Sequence, residues 1–336
     1  MRLGVTLALG ACLASGGARA DELAPLVVAP YRGDATCAIS FTFDDGSQNQ
    51  LDLAVPLLNA AHMRATFFIV TGVVRDHKSD PLPKGASRSG NGGLSWDEIR
   101  TIAQMGHEIA NHSLTHPNLP RTTDPEQLDR QINGSAQLIT EKLGTPPLTF
   151  CYPGNGCDER VRAAVLQRHV AARERCVTYG AKVATDFTPA MANAIVDKAL
   201  QEKTWIVPML HGVEEGYSPI TAETLKAHLA YLQTRRAEIW IDTFANVSRY
   251  LRERETATLT VVSQEPTAVS FTLTSSLDPR LYTVPLTVVI PTPDRTATNV
   301  RAAREGSAGA LPVAVLPGKI LVDVVPGGLP VGVRWE

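Results

Sequence analysis

The chain has 336 residues, 44% of them hydrophobic, with 32 basic residues against 34 acidic and a net charge of −2. This length buries a substantial core and is compatible with two domains, and the composition excludes a disordered or collagen-like chain. Balanced charge without a long single-sign run offers nothing to a nucleic-acid partner; the nearest basic cluster, Arg249 to Glu255, alternates in sign.

The first residues read as a secretory signal: Arg2, an apolar stretch from Val5 to Leu13, then Ala18-Arg19-Ala20 as a cleavage site before Asp21. The stretch is too short to span a bilayer, and no other run approaches the roughly 20 apolar residues a span needs. Leu9-Gly-Ala-Cys12 also resembles a lipoprotein box, which would make Cys12 a lipid-carrying N-terminus. A secreted or periplasmic protein is therefore expected, with a lipid anchor at the cell envelope as the alternative. Cleavage after Ala20 leaves Cys37, Cys151, Cys157 and Cys176 in a compartment that permits disulfides. Of their three pairings, Cys157 with Cys176, flanking one predicted helix, is the least strained.

Residues 21–255 follow as one region in which apolar runs alternate with helical patterns. Strands are expected at Cys37–Phe43, Ala65–Val70, His107–Ala110, Leu148–Tyr152, Trp205–Leu210 and Glu238–Ile241. Between them, Ser95 and Glu98 form a capping box before a helix that Gly106 stops. Asp124-Pro125 opens a helix with Leu128, Ile132, Ile139 and Leu143 on one face, ended by Gly144, and Thr221 can cap a helix carrying Leu225, Leu229 and Leu232. Strand-then-helix repetition implies a mostly parallel sheet, open or closed into a barrel. The polar, Gly-rich stretch from Lys78 to Gly93 is a loop, either the rim of a cleft or disordered. Residues 256–336 change texture: short β-branched runs separated by Pro, Gly, Asp and Ser predict a small all-β, sandwich-like domain. Its only aromatics are Phe271, Tyr282 and Trp335, which favours a structural appendage over a sugar-stacking module.

Four groups of reactive residues fall at the C-terminal ends of predicted strands: Asp44-Asp45, His112 with His116, Tyr152-Pro-Gly154, and His211. In a parallel α/β barrel that shared edge is where active sites assemble. Each has a plainer reading alone. Asp44-Asp45-Gly46 is ordinary turn chemistry, and an HxxxH pair is often structural. Spaced i, i+4, the two histidines would face one way in a helical turn, and with a carboxylate from another strand end they make a divalent-metal site with positions left for water and substrate. Asn111 and Ser113 are placed either to orient those ligands or simply to face solvent.

Thr42-Phe-Asp-Asp-Gly46, His112-Ser-Leu-Thr-His116, Phe150-Cys-Tyr-Pro-Gly-Asn-Gly156 and Leu210-His-Gly212 resemble successive motifs of the polysaccharide deacetylases, the NodB-homology or carbohydrate esterase family 4 group. The likeness covers roughly residues 35–250 and stops short of the β tail. It implies a distorted (β/α) barrel that removes acetyl groups, usually from N-acetylated sugars such as chitin-like chains, peptidoglycan or poly-N-acetylglucosamine, using Zn2+ or another divalent ion such as Co2+ or Ni2+. By that resemblance Asp44 is the catalytic base, Asp45, His112 and His116 are metal ligands, the Tyr152 main-chain N–H helps hold the oxyanion, and His211 is the general acid. Many members carry an arginine at the start of the third motif that tethers the base. Cys151 stands just before Tyr152 here, so the tether is absent or comes from elsewhere, with Arg173 as the candidate. Asp186 is the nearest candidate for an aspartate tuning His211. The alternatives are an O-acetyl esterase acting on acetylxylan with the same residues, and a catalytically silent carbohydrate-binding protein. Because every candidate site residue precedes residue 255, the segment ending there is expected to fold and act without the β tail.

Overall fold

The computed structural model of the chain describes residues 24–87, 90, 92–293 and 296–336. The expected signal sequence of residues 1–20, with Cys12, therefore lies outside the described residues. Seven strands form one parallel sheet, in the order Ala171–Arg173, Thr149–Cys151, Glu108–Asn111, Ala65–Ile69, Phe41–Asp44, Pro208–Leu210, Val177–Thr178. In the central Phe41–Asp44 strand every residue is buried, as expected of a parallel strand covered on both faces. A second parallel sheet joins Ile239–Ile241, Cys37–Ile39 and Trp205–Ile206.

Two runs expected as single strands are each divided between these sheets. Cys37–Phe43 breaks at Ser40 and Trp205–Leu210 at Val207. The Ser40 N–H donates to the Ile206 carbonyl at 3.1 Å, and its hydroxyl accepts from Trp205 Nε1 at 3.2 Å, so the two breaks hold each other. The curled result is a distorted (β/α) barrel. Ala171–Arg173 and Val177–Thr178 were not expected as strands; Ala-Ala-Arg lacks the β-branched and aromatic residues that mark one.

The helix signals act where the sequence places them. Ser95 and Glu98 form a reciprocal capping box on Trp96–Gln104. Asp124 caps Pro125–Asp129, which continues through a wide turn at Arg130–Gly134 into Ser135–Leu143, and Gly144 ends it with φ 79°. Thr221 caps Ala222–Thr234. Phe41, Phe43, Phe67, Ile99 and Leu229 share the main apolar core.

The C-terminal region forms two four-stranded antiparallel sheets, and the N-terminal strand Val27–Val28 completes one of them against Leu286–Pro291. Their core of Phe271, Leu286, Val322, Val331 and Trp335 is continuous with Trp240, Val247 and Tyr250 of the preceding region. The Tyr250 hydroxyl donates to the Ala29 carbonyl at 2.9 Å, and Arg32 and Lys319 make ion pairs with Asp323 and Asp34. Phe271 and Trp335 are committed to that core, so neither is available as a sugar-stacking surface.

This shared core weighs against the expectation that the segment ending at residue 255 folds alone. Removing the tail uncovers Trp240, Val247 and Tyr250. At about 1.5–3 kcal/mol for each large apolar side chain, that loss approaches the ~5–15 kcal/mol margin of a whole protein. A chain ending at residue 255 should sediment as aggregate or melt well below the full chain; a soluble fragment with an unchanged Tm would contradict the shared core.

Candidate active site

The Phe41–Asp44 strand delivers two carboxylates to the edge of the barrel, and the chain turns sharply directly after it. Asp45 and Gly46 both have left-handed backbones, with φ 76° and 72°. Gly46 meets the requirement easily, whereas a side chain there would also press on Ile69 Cδ1 at 3.2 Å. Asp45 adopts it at a conformational cost, the kind that accumulates at functional sites. The turn is held from outside: the Gly92 N–H donates to the Asp45 carbonyl at 2.8 Å and Leu94 to that of Gly46 at 3.3 Å. The loop expected from Lys78 to Gly93 thus ends against the Asp45-Gly46 turn.

His112 and His116 are brought together, but not by a helical turn. The segment after Glu108–Asn111 is an irregular loop in which Ser113 and His116 are left-handed, at φ 68° and 58°. The imidazole centroids are 4.8 Å apart. Asn111 and Ser113 are buried, not solvent-facing: the Asn111 side-chain oxygen accepts from the Ser113 N–H at 2.9 Å and from the Ser135 hydroxyl at 2.8 Å, and Ser113 Oγ accepts from the His116 N–H at 3.0 Å. A polar network therefore replaces the helix as the device that aims the rings.

Asp45 Oδ1 lies 3.5 Å from His112 Nε2 and 3.6 Å from His116 Nε2, and it is a buried oxygen without a hydrogen-bond partner. His112 directs Nδ1 at the Cys151 carbonyl at 2.8 Å, which places the proton there and leaves the Nε2 lone pair facing Asp45. Burial lowers the His112 pKa to about 4 and also lowers that of His116, so both rings favour the neutral form a metal ligand needs. Burial, then the neighbouring Asp44 charge, pushes the Asp45 carboxyl up to about 6. A buried anionic oxygen with no donor, facing two neutral imidazoles, fits a divalent cation. Asp44, His112 and Cys151 also cluster tightly enough to hold an ion. That set fits worse, because Asp44 is already claimed by a cation and burial raises the Cys151 thiol well above its ordinary range.

The cation on Asp44 is Arg173, from the Ala171–Arg173 strand. Its guanidinium forks onto both Asp44 oxygens, with Nη1 2.8 Å from Oδ1, and Nη1 also donates to Thr42 Oγ1 at 2.6 Å. Both partners are almost wholly buried, Asp44 at 2% exposure and Arg173 at 1%. Burial works to raise the Asp44 carboxyl, but Arg173, with His112 and His211, holds it below the usual carboxylate range. Cys151 reaches Asp44 only by a long thiol contact of 3.9 Å.

His211 Nε2 is 3.9 Å from Asp44 Oδ2, and its Nδ1 is buried with no hydrogen-bond partner. Asp186 does not supply one. It is exposed at the end of a short 3₁₀ turn, where the neighbouring Phe187 is the residue packed inward, against Tyr179. The Tyr152 ring is packed among Leu119, Phe150 and Val161, so what Tyr152 can present to the cleft is main chain. The expected Cys157–Cys176 disulfide is absent: all four described cysteines are free, Cys157 donating to the Asp158 carbonyl at 3.4 Å and Cys176 lying 3.6 Å from Met209 Sδ. Asp44, Asp45, His112, His116, Tyr152 and His211 together line a cavity of about 410 Å³.

Residues 33–171 match the family model described as polysaccharide deacetylase. That segment, about two-fifths of the chain, is similar to the polysaccharide deacetylases. Curated relatives include a gellan lyase from a Bacillus species, 25% identical over 89% of this chain and 13% of its own length. A chitin deacetylase from Cryptococcus neoformans is 28% identical over 38% of this chain and 23% of its own. A chitooligosaccharide deacetylase from Rhizobium leguminosarum is 32% identical over 30% of this chain and 39% of its own. The chain thus spans well under half of each of these relatives. Among solved structures, a candidate polysaccharide deacetylase from Mycobacterium smegmatis superposes with a TM-score of 0.52 at 16% identity, covering 70% of this chain and 96% of that one, which is a likeness of fold.

The deacetylase match stops before Arg173 and His211, and the fold brings both to its edge. Two further residues escaped the sequence reading. Gln50 Nε2 donates at 2.6 Å to both the Asp44 and the His211 carbonyl, tying the two strand ends together. No local sequence signal marks it, because its partners are main-chain atoms far apart in the chain. Tyr217 lines the cavity and meets the His211 ring edge-to-face, with centroids 4.8 Å apart. Its signal was an aromatic in a polar loop six residues after His211.

Proposed function

We propose that the chain is an exported, metal-dependent deacetylase that hydrolyses N-acetyl groups of a polysaccharide or oligosaccharide and releases acetate. The observation that carries this reading is the division between adjacent carboxylates. Asp45 turns an unpartnered oxygen toward two imidazoles, while Asp44 is forked by Arg173 and stands beside His211. Asp45, His112 and His116 would hold Zn2+, or Co2+ or Ni2+ in its place. When bound, such a cation supplies Lewis-acid chemistry, activating water and polarising an acetyl carbonyl.

The chain's own groups supply the rest. Asp44 accepts the proton released by the attacking water, and Arg173 keeps its carboxylate ionised and fixed in orientation. The Tyr152 main-chain N–H is the donor for the developing oxyanion, an interaction worth about 3–4 kcal/mol in such sites. His211 delivers a proton to the amine, which leaves poorly without one. The simultaneous presence of base, ligands and acid around one cavity weighs against a silent binding protein.

The test is acetate release from chitin oligomers, peptidoglycan, poly-N-acetylglucosamine and acetylxylan, with and without added metals. Release from the N-acetylated glycans supports the proposal. Release from acetylxylan alone would make the enzyme an O-acetyl esterase, and none from any would refute it. Within this scheme His211→Ala should retain its metal and lose about 10²–10⁴-fold turnover on amides. The loss should be smaller on activated aryl acetates, whose leaving group needs no proton. Equal losses on both substrates would remove the acid role.

A further inference from the structure

We infer that Tyr217 is the platform on which a pyranose ring of the substrate stacks, beside the residue that protonates the leaving group. This rests on the deacetylase reading of the same cavity. Tyr217 lines that cavity with Asp44, Asp45, His116 and His211, yet 70% of its surface is open to solvent. Its ring meets His211 at an interplanar angle of 75°, a contact that leaves most of the ring uncovered. Large aromatic surface exposed at the mouth of a polar cleft is a recurring mark of recognition.

The loop that carries the ring is built to hold it there. The Glu214 N–H donates to the Ile220 carbonyl at 2.9 Å and Ile220 returns a bond to Gly212 at 3.2 Å, closing the loop at its base. Asn49 Nδ2 donates to the Glu215 carbonyl at 2.9 Å, and that carbonyl sits so close to Gly212 that a Cβ there would lie 1.9 Å from it. Glu214, Gly216 and Ser218 are left-handed, at φ 68°, 108° and 45°. Two non-glycine residues thus take a costly conformation on either side of Tyr217. Gly154 and Asn155, both exposed, line the same cavity and add no aromatic surface to it.

The Tyr152 ring is turned into its own apolar cluster, which leaves Tyr217 as the one tyrosine ring offered to the cleft among the residues lining it. A flat aromatic surface is complementary to the C–H face of a pyranose, whose hydroxyls then remain free for water and polar groups. The ligand class is therefore a sugar ring bearing the acetamido group, with its nitrogen toward His211.

The experiment uses the zinc-loaded full chain, with calorimetric binding of chitin oligomers and acetylated xylan oligomers alongside steady-state acetate release. Tyr217→Ala should raise the Kd for its preferred oligomer about tenfold, with the loss appearing in KM rather than kcat, and Tyr217→Phe should restore binding because the ring and not the hydroxyl is used. Unchanged Kd in Tyr217→Ala would overturn the inference. So would a fall in kcat at constant KM, which would make Tyr217 a positioning residue for His211. If the unsubstituted protein binds oligomers without releasing acetate, the deacetylase reading fails alone, and the ratio of Kd values still decides the platform. Neither binding nor release would end both.

Discussion

Asp44→Asn should keep its metal and still bind acetylated oligosaccharide, but lose ~10²–10⁴-fold in turnover, the range set by removal of a general base. The substitution preserves shape and removes basicity at a carboxylate whose two oxygens both accept from Arg173. It has a second consequence. Arg173, at 1% exposure, would face a neutral amide in place of its counter-charge. Removing one partner of a buried ion pair costs about 3–5 kcal/mol, and the amide oxygen recovers part of it, so Tm should fall as well. Turnover and metal content therefore need to be measured well below the variant's Tm. Near-normal turnover in a folded Asp44→Asn protein would remove Asp44 from the chemistry.

Asp45→Ala should do the reverse, abolishing stoichiometric metal binding by deleting one of the three proposed protein ligands. The loss should exceed the ~10–100-fold that follows when only an outer hydrogen-bond partner of a ligand is removed. Its effect on stability separates a metal site from a turn. In the metal-free protein the Asp45 carboxyl is raised to about 6, first by burial and then by the Asp44 charge, so its ionised form is unfavourable in the fold. A folded-state pKa above the unfolded value of about 3.9 means that ionisation at neutral pH opposes folding. Removing that carboxylate relieves this cost, and the poorer fit of alanine to the left-handed backbone at φ 76° offsets it, so Tm without metal should change little, while the rise in Tm on adding zinc disappears. Were Asp45 merely a turn residue, Asp45→Ala would lower Tm equally with and without zinc.

The parts of this site visible in the sequence were those whose chemistry is written in adjacent residues. Asp44-Asp45-Gly46 and the histidine pair stand out because reactive types crowd at the ends of alternating apolar runs. Arg173 was reachable only through what was missing: Cys151 occupies a position where the family resemblance leads one to look for a tethering arginine. The reading of His112 and His116 as one face of a helical turn failed because spacing does not encode backbone conformation. Two left-handed residues and the Asn111–Ser113–Ser135 network bring the rings together instead. Asp186 was the nearest candidate for an aspartate tuning His211 that the family resemblance implies, and the structure leaves it in solvent. The shared core around Tyr250 and the pairing of Val27–Val28 with the far end of the chain are long-range contacts that no local pattern announces.

The central claim, that two adjacent acids have separate tasks, is tested most directly by measuring zinc stoichiometry and acetate release on Asp44→Asn and Asp45→Ala side by side. The account predicts one zinc per chain with turnover nearly abolished in Asp44→Asn, and no tightly bound zinc in Asp45→Ala. Zinc lost from both variants alike, or turnover kept in Asp44→Asn, would contradict it.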